Sequence, residues 1–171
     1  MRLTVQAESL SGSPPALRYT WDQETEILSA RFPAAAGAGF TGSVEFEGAD
    51  GAFALLDVDQ GTICGIEIVV WPAVASRPIA PPHDAPLGQL RLPGRPSQPG
   101  IGAVEVETVI SADASPDERT IHLRVGQTAA ARAVQVADKF IVELDRAGAI
   151  TGFWLLEVPA FEDQDRPDRE R

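Results

Sequence analysis

Apolar residues along this chain recur mostly at every second position, in short runs cut by Gly, Asp and Pro, a period that predicts strands and hairpins. "EILSARF" puts Leu28, Ala30 and Phe32 on one face and Ile27, Ser29 and Arg31 on the other. "SVEFEG" alternates Val44 and Phe46 with glutamates, and "FALLDVD" and "ICGIEIVVW" read as two strands around Asp59-Gln60-Gly61. Gly61 suits the positive φ of a tight turn. The second half repeats the course. "RTIHLRV" alternates Ile121, Leu123 and Val125 with Thr120, His122 and Arg124; "AVQVAD", "FIVELD" and "AITGFWLLEVP" follow, with a turn at Asp145-Arg146-Ala147-Gly148. The Ala-rich "TAAARAVQVADKF" favours helix locally, enough for a turn or two at 128–133, but the Val134/Val136 alternation reads as a strand.

The halves correspond in sequence, with six identical positions around the second hairpin. "QGTICGIEIVVWPA" (60–73) and "AGAITGFWLLEVPA" (147–160) share Gly61/Gly148, Ile63/Ile150, Gly65/Gly152, Pro72/Pro159 and Ala73/Ala160, and Asp59 corresponds to Asp145 just before them. The second copy needs one extra turn residue. What the copies share serves a hairpin: turn glycine, apolar strand, closing proline. They differ at Cys64 against Thr151 and Glu67 against Trp154, so the duplication is read as architecture and not as a repeated active site.

These segments, "FIVELDRAGAITGFWLLEV" and less cleanly "FALLDVDQGTICGIEIVVW", resemble the core hairpin of a small bacterial family called domain of unknown function 2283; "YTWDQETEILSARF" is similar to its first strand. The resemblance implies two tandem diverged copies of a small β-rich module. It implies no reaction and brings no functional residues.

The expected fold is therefore mainly β: two meander-like antiparallel repeats of about four strands each, packed with pseudo-two-fold symmetry as a sandwich or barrel. The expected limits are 1–71 for the first repeat, 72–103 for a connector, 104–160 for the second repeat and 161–171 for a charged, disordered tail. Eight prolines fall in 72–99, which argues against a place inside a sheet; Ile79, Leu87, Leu90 and Leu92 suggest a connector laid on the body.

Charge narrows the partners. The net charge is −11, carried by residues 1–75 (−7) and 104–171 (−6), while 76–103 is at +2. Such a chain repels phosphate backbones, which speaks against nucleic acid and permits a basic partner. The apolar runs are far below the roughly 20 residues of a membrane helix, and the N-terminus lacks the apolar core of a signal peptide, so a cytoplasmic protein is expected.

Candidate chemistry is sparse. Cys64 is the only cysteine, and His83 and His122 are the only histidines, too few and too scattered for a closed zinc site. His122 is expected to face solvent or a partner, and His83 sits between prolines. Asp57 and Asp59 with Glu67 hint at an oxygen-rich cation site, but Asp59 is a standard turn residue. No catalytic, cofactor or metal residues are assigned. Trp21, Trp71 and Trp154 are the candidate interaction residues, with packing as the plainer reading. Three functions stay open: a non-enzymatic acidic protein-interaction or inhibitor/immunity-type module, self-association included; a small-ligand binder with a Trp/Phe-lined pocket; and a hydrolase using paired carboxylates at the repeat interface.

Overall fold

A computed structural model describes residues 2–34, 37–93 and 103–161, and all regular structure among them is β. The strands are β1 (Gln6–Ser9), β2 (Arg18–Trp21), β3 (Leu28–Arg31), β4 (Gly42–Glu47), β5 (Phe53–Asp59), β6 (Thr62–Val70) and β7 (Val74–Ser76). They continue with β8 (Gly88–Arg91), β9 (Ala103–Glu107), β10 (Ile110–Ala114), β11 (Ile121–Val125), β12 (Arg132–Ala137), β13 (Phe140–Leu144) and β14 (Ile150–Leu155). No helical turn occurs at 128–133; the alternation at Val134 and Val136 places them in β12, as expected.

Two sheets form. The first runs β1-β8-β6-β5-β4-β9, with the β2–β3 hairpin joined through β3 to β6; the second runs β12-β13-β14-β11-β10-β7. Setting aside β1, β7, β8 and β9, one order occurs twice: β2-β3-β6-β5-β4 and β10-β11-β14-β13-β12, every pair antiparallel. Each repeat thus has five strands and departs from a plain meander. A hairpin closes onto the last strand of a three-stranded meander, because tight turns pair β4-β5-β6 in sequence and leave one edge of β6 to β3.

The turns follow their residues. Between β5 and β6, Gln60 and Gly61 both take positive φ, 48° and 82°, the mirror-image turn whose twist suits a two-residue hairpin. In the second copy the extra residue makes a wider turn. There Asp145 Oδ1 accepts from the amides of Ala147 (2.8 Å) and Ala149 (2.9 Å), and Gly148 carries the positive φ, 82°.

The proline-rich segment joins both sheets, contrary to the expectation that it stays outside them. Prolines flank but do not enter Val74–Ser76 and Gly88–Arg91, so those windows keep every amide donor. β7 pairs in parallel with β10, and β8 lies between β1 and β6 with Leu90 fully buried. β9 pairs in parallel with β4, so both sheets are mixed. Residues 94–102 of the predicted connector and 162–171 of the predicted tail lie outside the described residues.

The inward faces make one core. Val44, Phe46, Leu56, Ile66 and Leu28 of the first sheet share a single apolar cluster with Leu123, Phe140, Val142, Phe153 and Leu155 of the second. Aromatic rings cross the interface edge to face: Phe46 to Phe153 and Phe32 to Phe140, each at 6.1 Å between centroids.

Candidate binding groove and outer-face clusters

Trp21 ends β2 and Trp71 follows β6, and the pairing of β3 with both β2 and β6 brings them to one end of the sandwich. Their rings stack at 5.9 Å and 23°. Phe161, which the sequence assigned to the tail, packs edge-on against Trp21 at 5.4 Å. The Trp21 indole N–H donates to the Pro159 carbonyl at 2.8 Å, and that of Trp71 donates to the Glu26 carbonyl at 3.0 Å.

Together they border an open groove of about 520 Å³ between the two halves. Val74, Ile121 and Val158 add apolar wall, while Glu26, Asp117, Glu118 and Arg119 supply the charge. Val74 and Phe161 are two of the five large apolar side chains left exposed among the described residues. Two residues before Trp21 on β2, Tyr19 donates its hydroxyl to the Leu156 carbonyl at 2.7 Å, and burial pushes its phenol pKa up, so the hydroxyl stays a donor.

Trp154 lies elsewhere, on the outer face of the second sheet, and is only 6% exposed. His122 lies on the outward face that the alternation gives it, but it is covered there and not open to solvent. Its side chain is 14% exposed, and its ring lies flat on Trp154 at 4.0 Å and 9°. The cross-strand pairs His122↔Trp154 and Glu143↔Gly152 explain this, and His122 Nε2 meets Glu143 Oε1 over Gly152. A Cβ at Gly152 would come within 2.9 Å of Glu143 Oε1 and 3.2 Å of His122 Nε2, so the pair exists because that residue has no side chain.

Arg124 Nη1, 3.5 Å from His122 Nδ1, donates to Asp113 Oδ2 at 2.5 Å, and Arg77 Nε stands 3.2 Å from Asp113 Oδ1. The Arg124 hydrogen bond, with the charges of Arg124 and Arg77, holds the Asp113 carboxyl below its ordinary range. A carboxylate with a depressed folded pKa contributes stability above about pH 4 that is lost as pH falls through the folded value. Asp113→Asn is therefore expected to lower stability at pH 7 by a margin that shrinks as pH falls below about 4. Urea midpoints across that range test it, and a constant difference would refute it.

The first sheet carries a counterpart. Arg31 lies opposite Gly65 as Arg124 lies opposite Gly152, and Asp57 lies where the second copy has Glu143. Arg31 bonds Glu67 at 2.7 Å and stands 3.3 Å from Asp57. Ser29 and Glu67 occupy the places of His122 and Trp154. Both acids of this pair lie on the outer face of the sheet, away from the interface between the halves. Burial raises the Asp57 carboxyl despite Arg31. The Cys64 thiol bonds the Asp57 carbonyl, and burial and then Asp57 push its pKa up, which disfavours the nucleophilic thiolate. Asp59 accepts from Thr41 at 3.4 Å in the turn, and His83 is exposed in the connector.

Among the described residues, no three His, Cys, Asp or Glu side chains gather closely enough to hold a metal ion, and no helix is long and apolar enough to cross a membrane. Neither protein-family models nor curated protein sequences yield a match to this chain.

Sequence reasoning missed the His122–Glu143–Trp154 stack and the role of Phe161. Strand parity puts His122 and Glu143 on outward faces, but the pairing of β11 with β14 that joins them has no local signal.

Proposed function

We propose that this chain is a non-enzymatic interaction module that receives a segment of a protein partner in the groove between its two halves. The observation that carries the reading is the commitment of both indole N–H groups to backbone carbonyls. This leaves Trp21 and Trp71 presenting aromatic surface beside exposed Val74 and Phe161. The titratable clusters outside the groove are closed on themselves: Arg31 occupies Asp57 and Glu67, and Arg124 and Arg77 occupy Asp113. That favours binding over carboxylate catalysis. Membership of both halves in the family of domain of unknown function 2283, and a cytoplasmic setting, belong to the same proposal. A small apolar ligand is the second reading, favoured by a groove volume within the range of small-molecule sites.

Affinity capture from the native cell tests the proposal. A partner held by the wild-type chain is expected to be lost, by about tenfold or more, when Val74→Glu or Phe161→Ala alters the wall of the groove. Both side chains are exposed, so neither change threatens the core. Equal capture by all three proteins, or none at low salt, would count against it.

A further inference from the structure

The groove offers an incoming group acceptors and π surface but few donors. Glu26, Asp117 and Glu118 line it against one cation, Arg119, a formal balance of −2. Glu26 and Glu118 sit in the corresponding turns of the two repeats, β2–β3 and β10–β11, each with φ of 59°. Among the described residues neither carboxylate makes an ion pair. Asp117 accepts from the Ser115 hydroxyl at 2.5 Å and the Arg119 amide at 3.1 Å, which keeps it ionised below the ordinary carboxylate range. The tryptophans add no donor, because both indole N–H groups are occupied within the fold.

A flat cation with many donors matches that arrangement. We propose that the groove recognises an arginine side chain of a partner polypeptide, its guanidinium plane on an indole face and its N–H groups toward Glu26 and Glu118. The inference rests on the groove being the binding surface, as proposed above, and adds the chemistry of what enters it. A guanidinium stacks on aromatic faces and bonds carboxylates directionally. A spherical quaternary ammonium needs rings spread around it, whereas Trp21 and Trp71 lie against each other at 5.9 Å and 23°. The occupant is a polypeptide and not a free guanidinium compound, because exposed Val74 and Phe161 extend the wall with apolar surface that flanking side chains would cover. The overall charge of −11 draws a basic partner to the same place.

The test titrates the full chain with the peptide acetyl-Gly-Leu-Arg-Leu-Gly-amide, its neutral citrulline counterpart and its trimethyllysine counterpart, following the indole N–H resonances of Trp21 and Trp71. The arginine peptide is expected to bind about tenfold more tightly than the citrulline peptide and to weaken with added salt. That preference should vanish in the Glu26→Gln/Glu118→Gln variant, whose far-ultraviolet spectrum should match wild type. Equal binding of arginine and citrulline peptides at the indoles would overturn the cation inference and leave the groove standing. Tighter binding of the trimethyllysine peptide would overturn the choice of guanidinium. Indole resonances that move with none of the three would overturn the inference and leave the groove to the capture experiment.

Discussion

Residues 1–93 and 94–171, produced as two separate chains, are expected to show no cooperative thermal transition, whereas the intact chain melts as one unit. The reason is the single core. Phe46 packs on Phe153 and Phe32 on Phe140 across the sheets, so either half alone exposes the inner face of its sheet. Stripping one buried aromatic side chain costs about 3–5 kcal/mol, and a domain has only about 5–15 kcal/mol in total. Strand exchange adds to the loss. β7 comes from the first part of the chain but completes the second sheet, and β9 comes from the second part but extends the first. A break after residue 93 keeps β8 with its neighbours β1 and β6, so the failure would not be an artefact of cutting a strand. Mixing the two parts should restore a transition. Two independent cooperative melts from the separated parts would contradict a shared core.

Gly65→Ala is expected to destabilise the protein by about 3 kcal/mol and to lower its melting temperature by roughly 6–12 °C. A Cβ on Gly65 would stand 2.6 Å from the Ala30 carbonyl oxygen, 3.1 Å from Arg31 Cγ and 3.2 Å from Arg31 Cα. The nearest atom is backbone in β3, held by its pairing on both sides, so the strand itself must move. The equivalent Gly152→Ala meets first the movable end of Glu143 at 2.9 Å, with the Leu123 carbonyl oxygen less crowded at 3.1 Å, and should cost less, about 1–2 kcal/mol, while displacing Glu143 from His122. Urea unfolding of the two variants checks the order. A Gly65→Ala protein within 1 kcal/mol of wild type, or a reversed order, would show that β3 and β6 are not packed as described. Neither glycine has positive φ, so the effect isolates the missing side chain from backbone strain.

The two glycines also show how far local pattern reaches. Period-two alternation marks the inward faces, and Leu28, Ala30, Val44, Phe46, Ile121, Leu123 and Val125 are all buried as that alternation requires. Turn chemistry placed Gly61 and Gly148, each with φ of 82°. The correspondence of Gly65 with Gly152, visible in sequence, coincides with equal positions opposite Arg31 and Arg124. The reason for those glycines was not legible, because the crowding atoms belong to a neighbouring strand that the residue pattern does not name.

The candidate groove was legible only in its parts. Trp21 and Trp71 stood out as tryptophans, but their meeting depends on β3 lying between β2 and β6, and the wall depends on Pro159 and Phe161, about 140 residues from Trp21. Trp154, which aligns with Glu67 and not with Trp71, supports His122 on another face, because β11 pairs with β14. The prolines of the connector were visible, while the use of the proline-free windows around them was not.

The sequence by itself determined strands β3 to β6 and β11 to β14, their inward faces, their tight turns and the correspondence of the two halves, because each is a matter of neighbours a few residues apart. Only the tertiary structure decided which strand edges meet, how the connector is shared between sheets and which side chains share the groove. Those depend on contacts between residues tens to more than a hundred positions apart, where no local period survives.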